Sequence, residues 1–363
     1  MRHPGGNEPK SLNMRSRLYV STQKSPNPWV AVNLSALFPG LGQLYMGNQG
    51  LGLCLILAEI GLIGSAIWSI FAPAGNTLTG LLLLGIAFGL YLLGIWQTYT
   101  LSLAPPPSGS ALGPRDAWYG IFLSQILPGL GHLYFQQAVV GGSLLVVGIG
   151  LALMANRYPS LMVLPPFIWA LACYHLYRTQ ASSSQRRPWA IAVVVAGLIM
   201  IRLIVGTIPG WIQQSVEQCI IPSESMLPTL QVGDRLFVRK NPFYRPQQGD
   251  IVVFTPPVAA LAETDVLPND LLVKRVIGLP GQTVQVEAGQ VWLNQQALSE
   301  PYLLVPPNYR WGPETIPANT YFVLGDNRNL SGDSHVWGFL PRSDILGEAY
   351  KIYWPPGRIQ PLR

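Results

Sequence analysis

The chain is poor in charge, in cysteine and in histidine, and each shortage excludes a class of protein. Charged residues make up 11% of the sequence, against roughly 25% in soluble domains, so a chain surrounded entirely by water is excluded. The three cysteines, Cys54, Cys173 and Cys219, lack the spacing of a disulfide framework or a metal site. Only four scattered histidines are present, so zinc is not expected. We predict no metal and no other cofactor.

The few charges are unevenly placed along the chain. Most carboxylates follow residue 215, and the segment between residues 27 and 177 holds only four charges, at Glu59, Arg115, Asp116 and Arg157. The first part of the chain is therefore predicted to be solvated by lipid and the second by water. The net charge of +6 does not indicate nucleic-acid binding, because no arginine-rich run alternates with aromatic residues.

A sequence repeat organises the apolar part. The segment Phe38-Pro-Gly-Leu-Gly-Gln-Leu-Tyr45 matches Leu127-Pro-Gly-Leu-Gly-His-Leu-Tyr134 at an offset of 127 − 38 = 89 residues. The Pro-Gly-Leu-Gly motif resembles the signature of small helical-hairpin membrane domains, often called TM2-like, and that resemblance implies no activity. Because Pro-Gly interrupts a helix, segments 29–46 and 118–134 are predicted either to cross the membrane as broken helices or to lie in it as re-entrant hairpins.

Two apolar stretches follow each copy of the repeat, and one more precedes the polar half. A membrane-spanning helix needs about 20 apolar residues, and the candidates are 51–71, 78–99, 139–155, 160–177 and 188–208. The basic residues of the amino-terminal tail place it in the cytoplasm by the positive-inside rule. The two repeats together contribute an even number of crossings and residues 188–208 one more, so the last domain is predicted to be extracytoplasmic.

The predicted domains follow from these segments. They are a disordered tail (1–28), membrane repeat 1 (29–100), a Pro-rich linker (101–116), membrane repeat 2 (117–178), a cytoplasmic linker (179–187), a transmembrane anchor (188–208) and an extracytoplasmic domain (209–363).

Short β-prone runs separated by Pro and Gly characterise the last domain. They begin at Leu236, Asp250, Leu271, Thr283, Gln290, Thr320 and Ala349. Helical periodicity is nearly absent, so the domain is predicted to be mainly β, with a sheet coiled towards a barrel.

Two serines just beyond the last apolar helix are the candidate nucleophiles. They lie in Pro222-Ser-Glu-Ser-Met-Leu-Pro228, and a serine hydroxyl needs a neighbouring base to become reactive. Lys274, in the run Leu271–Ile277, is the candidate base. Alternation along a strand puts Lys274 and Val276 on one face, and burial of that face would favour the neutral amine. The alternative is an ordinary solvated strand lysine.

Four sequence boxes in order carry a specific resemblance to bacterial-type signal peptidase I, a membrane-anchored serine endopeptidase. They are Ser223-x-Ser-Met-x-Pro-Thr-Leu230, Gly249-Asp-Ile-Val252, Lys274-Arg-Val-x-Gly-x-Pro-Gly281 and Gly325-Asp-Asn-Arg-x-x-Ser-x-Asp-Ser-x-x-Trp-Gly338. The match covers roughly residues 218–354. It implies a chain that removes signal peptides from translocated preproteins, with the lipid bilayer and the secretory translocon as further partners.

The resemblance also implies residue roles. Ser225 would be the nucleophile and Lys274 the general base, with the Ser225 N–H and the Ser223 hydroxyl as oxyanion hole. Ser331 would hydrogen-bond Lys274 and orient it. Four residues would brace that loop, namely Asp326, Asn327, Arg328 and Asp333, and three would line shallow pockets for small side chains, namely Ile221, Met226 and Val273.

Departures from the family pattern and rival functions remain open. His335 stands where the family usually has Arg, which puts an ion pair with Asp333 in doubt, and Glu224 between the serines is expected to face solvent. A Ser225–His335–Asp333 triad is one alternative. The others are an inactive relative that acts as a membrane scaffold or assembly factor, and a self-cleaving repressor-type protease, which the membrane half disfavours.

Overall fold

The structure is a computed structural model that describes residues 26–102, 116–241 and 243–362. The predicted tail and the predicted Pro-rich linker lie largely outside these residues. The helices of the apolar half are α1 (Pro28–Leu37), α2 (Leu41–Tyr45), α3 (Gln49–Phe71), α4 (Thr77–Ser102), α5 (Ala117–Ile126), α6 (Leu130–Tyr134), α7 (Ala138–Arg157), α8 (Leu164–Gln180) and α9 (Pro188–Ser215).

The sequence repeat is also a structural repeat. α1 and α5 have the same length, as do α2 and α6, and each pair of short helices is separated by a glycine in the left-handed region, Gly40 with φ 95° and Gly129 with φ 96°. This conformation suits glycine, which has no Cβ to clash. Both helix starts are capped at the same offset, by Asn27 and by Asp116, whose side-chain oxygens accept backbone N–H bonds. The predicted interruption at Pro-Gly is confirmed in both copies.

Five of the described helices are long and apolar enough to cross a membrane. They are Gln49–Phe71, Thr77–Thr100, Ala138–Ala155, Ser160–Gln180 (which includes a short 3-10 turn before α8) and Pro188–Ser215. All five predicted apolar stretches are therefore confirmed as helices. With 10 and 5 residues, the helices of each interrupted segment are too short to cross alone. α9 passes through Pro209 and continues beyond residue 208 to Ser215.

The chain divides into two compact units. Of the residues that the structure describes, the first comprises 26–54, 94–102, 116–150 and 168–196. Within it, α1 packs on α5 through buried polar groups: Asn33 Nδ2 donates to the Trp118 carbonyl at 2.8 Å, and Gln125 Nε2 donates to Asn33 Oδ1. Gly42 and Gly131 lie so close to the preceding helix that a Cβ would overlap the carbonyl oxygens of Ala31 and Gly120 respectively. The first unit thus joins the interrupted segments of both repeats.

The second unit comprises residues 55–93, 151–167 and 197–363. Its strands are β1 (Val216–Ile220), β2 (Arg235–Lys240), β3 (Ile251–Phe254), β4 (Leu272–Gly278), β5 (Thr283–Glu287), β6 (Gln290–Leu293), β7 (Gln296–Ala297), β8 (Trp311–Thr315), β9 (Thr320–Leu324), β10 (Leu340–Pro341), β11 (Ile345–Trp354) and β12 (Gln360–Pro361), with short helices α10 (Val258–Glu263) and α11 (Ser334–Trp337).

The strands form two antiparallel sheets. The larger has the order β1-β2-β11-β3-β4-β9-β10, with β12 on β11, and the smaller has the order β7-β6-β5-β8. Register shifts interrupt the pairings of β11 and β4, as they do at β-bulges, which bend a sheet and increase its twist. The predicted mainly β domain with a curled sheet is confirmed, and β4, which carries Lys274, lies inside the larger sheet between β3 and β9.

Candidate active site

Buried neighbours hold Ser225 at the surface. The loop between β1 and β2 is anchored by Met226 and Leu230, which are 1% and 0% exposed, and the Leu230 N–H donates to the Met226 carbonyl at 2.9 Å. Ser225 itself is half-buried, while Ser223 and Glu224 are exposed, so the expectation that Glu224 faces solvent is confirmed. The buried side chains of Met226 and Leu230 therefore anchor the segment that carries the Ser225 hydroxyl.

Lys274 lies against that hydroxyl. It is 4% exposed, pairs with Val252 of β3, and its Nζ lies 2.7 Å from Ser225 Oγ. The alternative of a solvated strand lysine is wrong. Desolvation lowers the pKa of Lys274, and the charges of Asp333 and Asp326 oppose that shift. Because burial disfavours the ammonium form, the amine is placed to accept a proton from the hydroxyl that it contacts.

A second hydroxyl and the loop after β9 also contact the Ser225 segment. Ser223 Oγ donates to Ser225 Oγ at 3.3 Å. The Asn327 N–H donates to the Ser225 carbonyl at 3.0 Å, and Asn327 Nδ2 donates to the Glu224 carbonyl at 3.2 Å. Two parts of the chain about a hundred residues apart are thus joined beside the candidate nucleophile.

A buried ion pair lies beneath this junction. Arg275 Nε and Nη2 donate to the two oxygens of Asp326 at 2.8 and 2.7 Å. Arg275 Nη1 donates to the Gly249 carbonyl at 2.8 Å, and Thr229 Oγ1 donates to Asp326 Oδ2 at 2.5 Å. Neither Arg275 nor Thr229 was assigned a role from the sequence, although both stand in the sequence boxes. The pair connects β4 to the loop that contacts Ser225.

Arg328 and Asp333 hold that loop from inside. Arg328 Nη1 and Nη2 donate to the carboxylate of Glu300 at 2.9 and 2.5 Å, and Arg328 Nε donates to the Gly325 carbonyl at 3.0 Å. Asp333, fully buried, accepts the Gly325 N–H at 2.8 Å. Glu300 was not singled out from the sequence, because it lies 28 residues from Arg328 in a stretch without any motif.

The contact between Asp333 and His335 is present. His335 Nδ1 lies 2.6 Å from Asp333 Oδ1, and the His335 ring stacks on Tyr309 with ring centroids 4.0 Å apart. Asp333 therefore has a side-chain partner, although His335 stands where the family usually has Arg. The Ser225 hydroxyl, in contrast, contacts Lys274 and Ser223, which favours the Ser–Lys pair over the Ser225–His335–Asp333 triad.

Ser331 departs from its expected contact. Its side chain is buried, with 7% exposed, and its Oγ has no hydrogen-bond partner among the described residues, so the expected hydrogen bond to Lys274 is not formed. Ser331 lies against Gly325, where a Cβ would overlap both Ser331 Oγ and the Ser225 carbonyl oxygen. Glycine is required there because two chain segments meet at its Cα.

The three residues expected to line substrate pockets are buried together. Ile221, Met226 and Val273 are 3%, 1% and 6% exposed and belong to one core cluster. Ile221 and Met226 belong to the loop that carries Ser225, and Val273 belongs to β4.

Comparison with known proteins gives a consistent result. Residues 187–354 match the family described as "Signal peptidase, peptidase S26". The "Signal peptidase I" of Leptolyngbya laminosa is 46% identical over 184 residues, covering 50% of this chain and 90% of that relative. The "Probable signal peptidase I-2" of Synechocystis sp. is 48% identical over 145 residues, covering 39% and 65%. The "Thylakoidal processing peptidase 1, chloroplastic" of Arabidopsis thaliana is 40% identical over 143 residues, covering 38% and 42%.

Proposed function

Because the chain belongs to the signal peptidase family, peptidase S26, and is a membrane serine endopeptidase that removes signal peptides from preproteins, we propose that Ser225 and Lys274 carry out this reaction. The observation that supports the assignment is the 2.7 Å contact between Ser225 Oγ and an amine that is 4% exposed. Similarity to signal peptidases over residues 187–354 favours this function over an inactive scaffold.

In the proposed reaction, neutral Lys274 takes the proton of Ser225 as Oγ attacks the scissile carbonyl. The resulting oxyanion is stabilised by the Ser225 N–H and the Ser223 hydroxyl, as donors aimed at developing charge stabilise a transition state. Lys274 then returns the proton to the leaving amine. An acyl-enzyme on Ser225 remains, and water that Lys274 deprotonates hydrolyses it.

The other predicted site residues have supporting roles in this proposal. Asp326, Asn327, Arg328 and Asp333 keep the loop after β9 against the Ser225 segment, and Ser331 fills the space beside Gly325. Ile221, Met226 and Val273 form the apolar floor on which a small side chain of the substrate rests, since a shallow floor rejects larger side chains by overlap.

The five apolar helices support a topology for the whole chain. With a basic tail in the cytoplasm and five candidate crossings, we propose that the polar half lies on the extracytoplasmic side, where translocated preproteins emerge. We infer domain boundaries close to those predicted from the sequence, and we propose the lipid bilayer and the secretory translocon as partners.

Replacement of Ser225 by Ala tests the function. The variant is expected to lose cleavage of a model preprotein by about 10⁴-fold or more, as removal of a nucleophile does in serine proteases. Purified protein in detergent, a preprotein with an Ala-x-Ala site and detection of the mature amino terminus by mass spectrometry provide the measurement. Retained cleavage by the Ser225→Ala variant would exclude Ser225 as the nucleophile.

The pH profile of cleavage tests the protonation state of Lys274. Desolvation lowers the pKa of Lys274 below its usual value of 10.5, and only the neutral amine is a base. Activity is therefore expected to rise with pH through the lowered pKa and to level off above it. Because the charge of Asp333 raises the pKa of Lys274, Asp333→Asn should move the acid limb of kcat/KM to lower pH. An acid limb centred at the value of an ordinary lysine would contradict the assignment.

A further inference from the structure

A buried lysine of β11 binds the end of a membrane helix. Lys351 is 0% exposed, and its Nζ donates to three backbone carbonyls at the carboxyl end of α3: Ser69 at 3.1 Å, Ile70 at 2.8 Å and Ala72 at 3.2 Å. Both Lys351 and this helix end belong to the second compact unit. The reaction proposed above makes no use of this contact.

The chemistry of the two groups is complementary. The last four carbonyls of a helix have no partner within it, and they carry partial negative charge. A lysine ammonium has three donors and no acceptor, so the three carbonyls replace the water that Lys351 loses on burial. Desolvation lowers the pKa of Lys351, because burial disfavours the ammonium form.

Aromatic stacking reinforces the contact. Phe71, the last residue of α3, stacks on Phe237 of β2 with ring centroids 5.5 Å apart, and Phe237 stacks on Tyr353 of β11 with ring centroids 4.1 Å apart. The helix end therefore meets β2 and β11 through one polar and one apolar contact.

The turn that receives Lys351 is compact. Ser69 Oγ donates to the Asn76 carbonyl at 2.7 Å, and a Cβ at Gly75 would overlap the Ser69 carbonyl oxygen. Gly80 of α4 packs closely on Ala66 and Ile70 of α3. We call residues 69–76 the platform. The internal hydrogen bond and the close contacts at Gly75 and Gly80 restrict the conformation of the platform.

The last membrane helix, α9, is joined to the sheet by a single covalent connection, to β1. The contact between Lys351 and the platform is a second attachment point, and it limits rotation of the sheet about that connection. β11 connects that point to the site within the larger sheet, because Glu348 pairs with Val252 and Val252 pairs with Lys274. We propose that Lys351 is a positioning residue that docks the catalytic sheet on the platform and so fixes the height and tilt of Ser225 relative to a membrane-held substrate. The inference rests on the proposed function and gives repeat 1 a role in it.

The test compares two substrates in vesicles that contain the full chain. One is a short water-soluble peptide with a small-x-small site, and the other is a preprotein whose signal segment is inserted in the same vesicles. Lys351→Met is expected to leave kcat/KM for the peptide within about twofold and to lower it for the preprotein by about tenfold or more, since a displacement of about 1 Å is enough for such a loss. Cleavage at neighbouring bonds of the preprotein should increase.

Two further variants separate positioning from folding. Lys240 also binds a helix end, at the Gln213 carbonyl of α9 at 3.1 Å, but α9 is covalently joined to the sheet, so Lys240→Met is expected to cleave both substrates like the wild type. Phe71→Ser changes the platform side alone and should reproduce the substrate-dependent loss of Lys351→Met. Equal loss on both substrates, or no loss on the preprotein, in Lys351→Met and Phe71→Ser would overturn the proposal. Since the peptide reads out the chemistry of Ser225 directly, that result would leave the proposed function intact.

Discussion

Replacement of Lys274 by Met is expected to reduce cleavage by about 10⁴-fold without reducing thermal stability. Methionine has a similar length and no charge, so it occupies the space of a side chain that is 4% exposed and avoids the cost of burying an amine. The base that contacts Ser225 is lost, and removal of a catalytic base costs about 10⁴-fold or more in serine proteases. Steady-state cleavage of a preprotein and a thermal melt in the same detergent provide the two measurements.

Two control variants make this result specific. Lys240→Met removes another lysine that contacts backbone and should retain activity, which excludes a general effect of lost charge. His335→Ala should retain most activity, because His335 contacts Asp333 and Tyr309 and has no part in the proposed proton transfer. Loss of activity in His335→Ala together with retention in Lys274→Met would instead favour the Ser225–His335–Asp333 triad.

The fold was predictable wherever hydrophobic pattern and element length agree. All five apolar stretches are helices, because each is long and apolar throughout. All seven β-prone runs contain strands, because each run contributes buried apolar residues to the sheets. Strand β1 was not predicted, since Val216–Ile220 carries Glu217 and Gln218 and follows directly on a helix. Strands β7, β10 and β12 have two residues each, which is too short for any periodicity. Their formation depends on the partner strands.

The site was predictable in its residues but not in its contacts. The sequence boxes identify Ser225 and Lys274 as candidate site residues, and the structure places Lys274 Nζ in contact with Ser225 Oγ. The partners Arg275 of Asp326 and Glu300 of Arg328 are 51 and 28 residues away in sequence, and no local pattern reports which charges meet in a folded core. The expected bond from Ser331 to Lys274 fails for a similar reason, since the rotation of one hydroxyl-bearing side chain depends on its packing against Gly325.

Replacement of Asp326 by Asn is expected to destabilise the catalytic domain strongly. The side chains of Arg275 and Asp326 are 3% and 0% exposed, and the substitution leaves the buried charge of Arg275 without its counter-charge, at a cost of about 3–5 kcal/mol. For a domain of this size that loss corresponds to a drop of about 10 °C in Tm. A thermal melt of the detergent-solubilised protein, followed by tryptophan fluorescence, measures it.

The large loss of stability is expected because the Arg275–Asp326 pair is buried, and not merely because its charges are opposite. An exposed ion pair in the same domain tests this reason. Arg310 and Glu287 lie 3.8 Å apart with side chains 82% and 45% exposed, and exposed pairs contribute about 0–1 kcal/mol. Glu287→Gln should therefore shift Tm by no more than about 4 °C. The Asp326→Asn protein should also cleave more slowly below its lowered Tm, because Asp326 holds the loop whose Asn327 N–H binds the Ser225 carbonyl. Equal shifts of Tm in the two variants would show that the Arg275–Asp326 pair is solvated in solution and does not support the Ser225 segment.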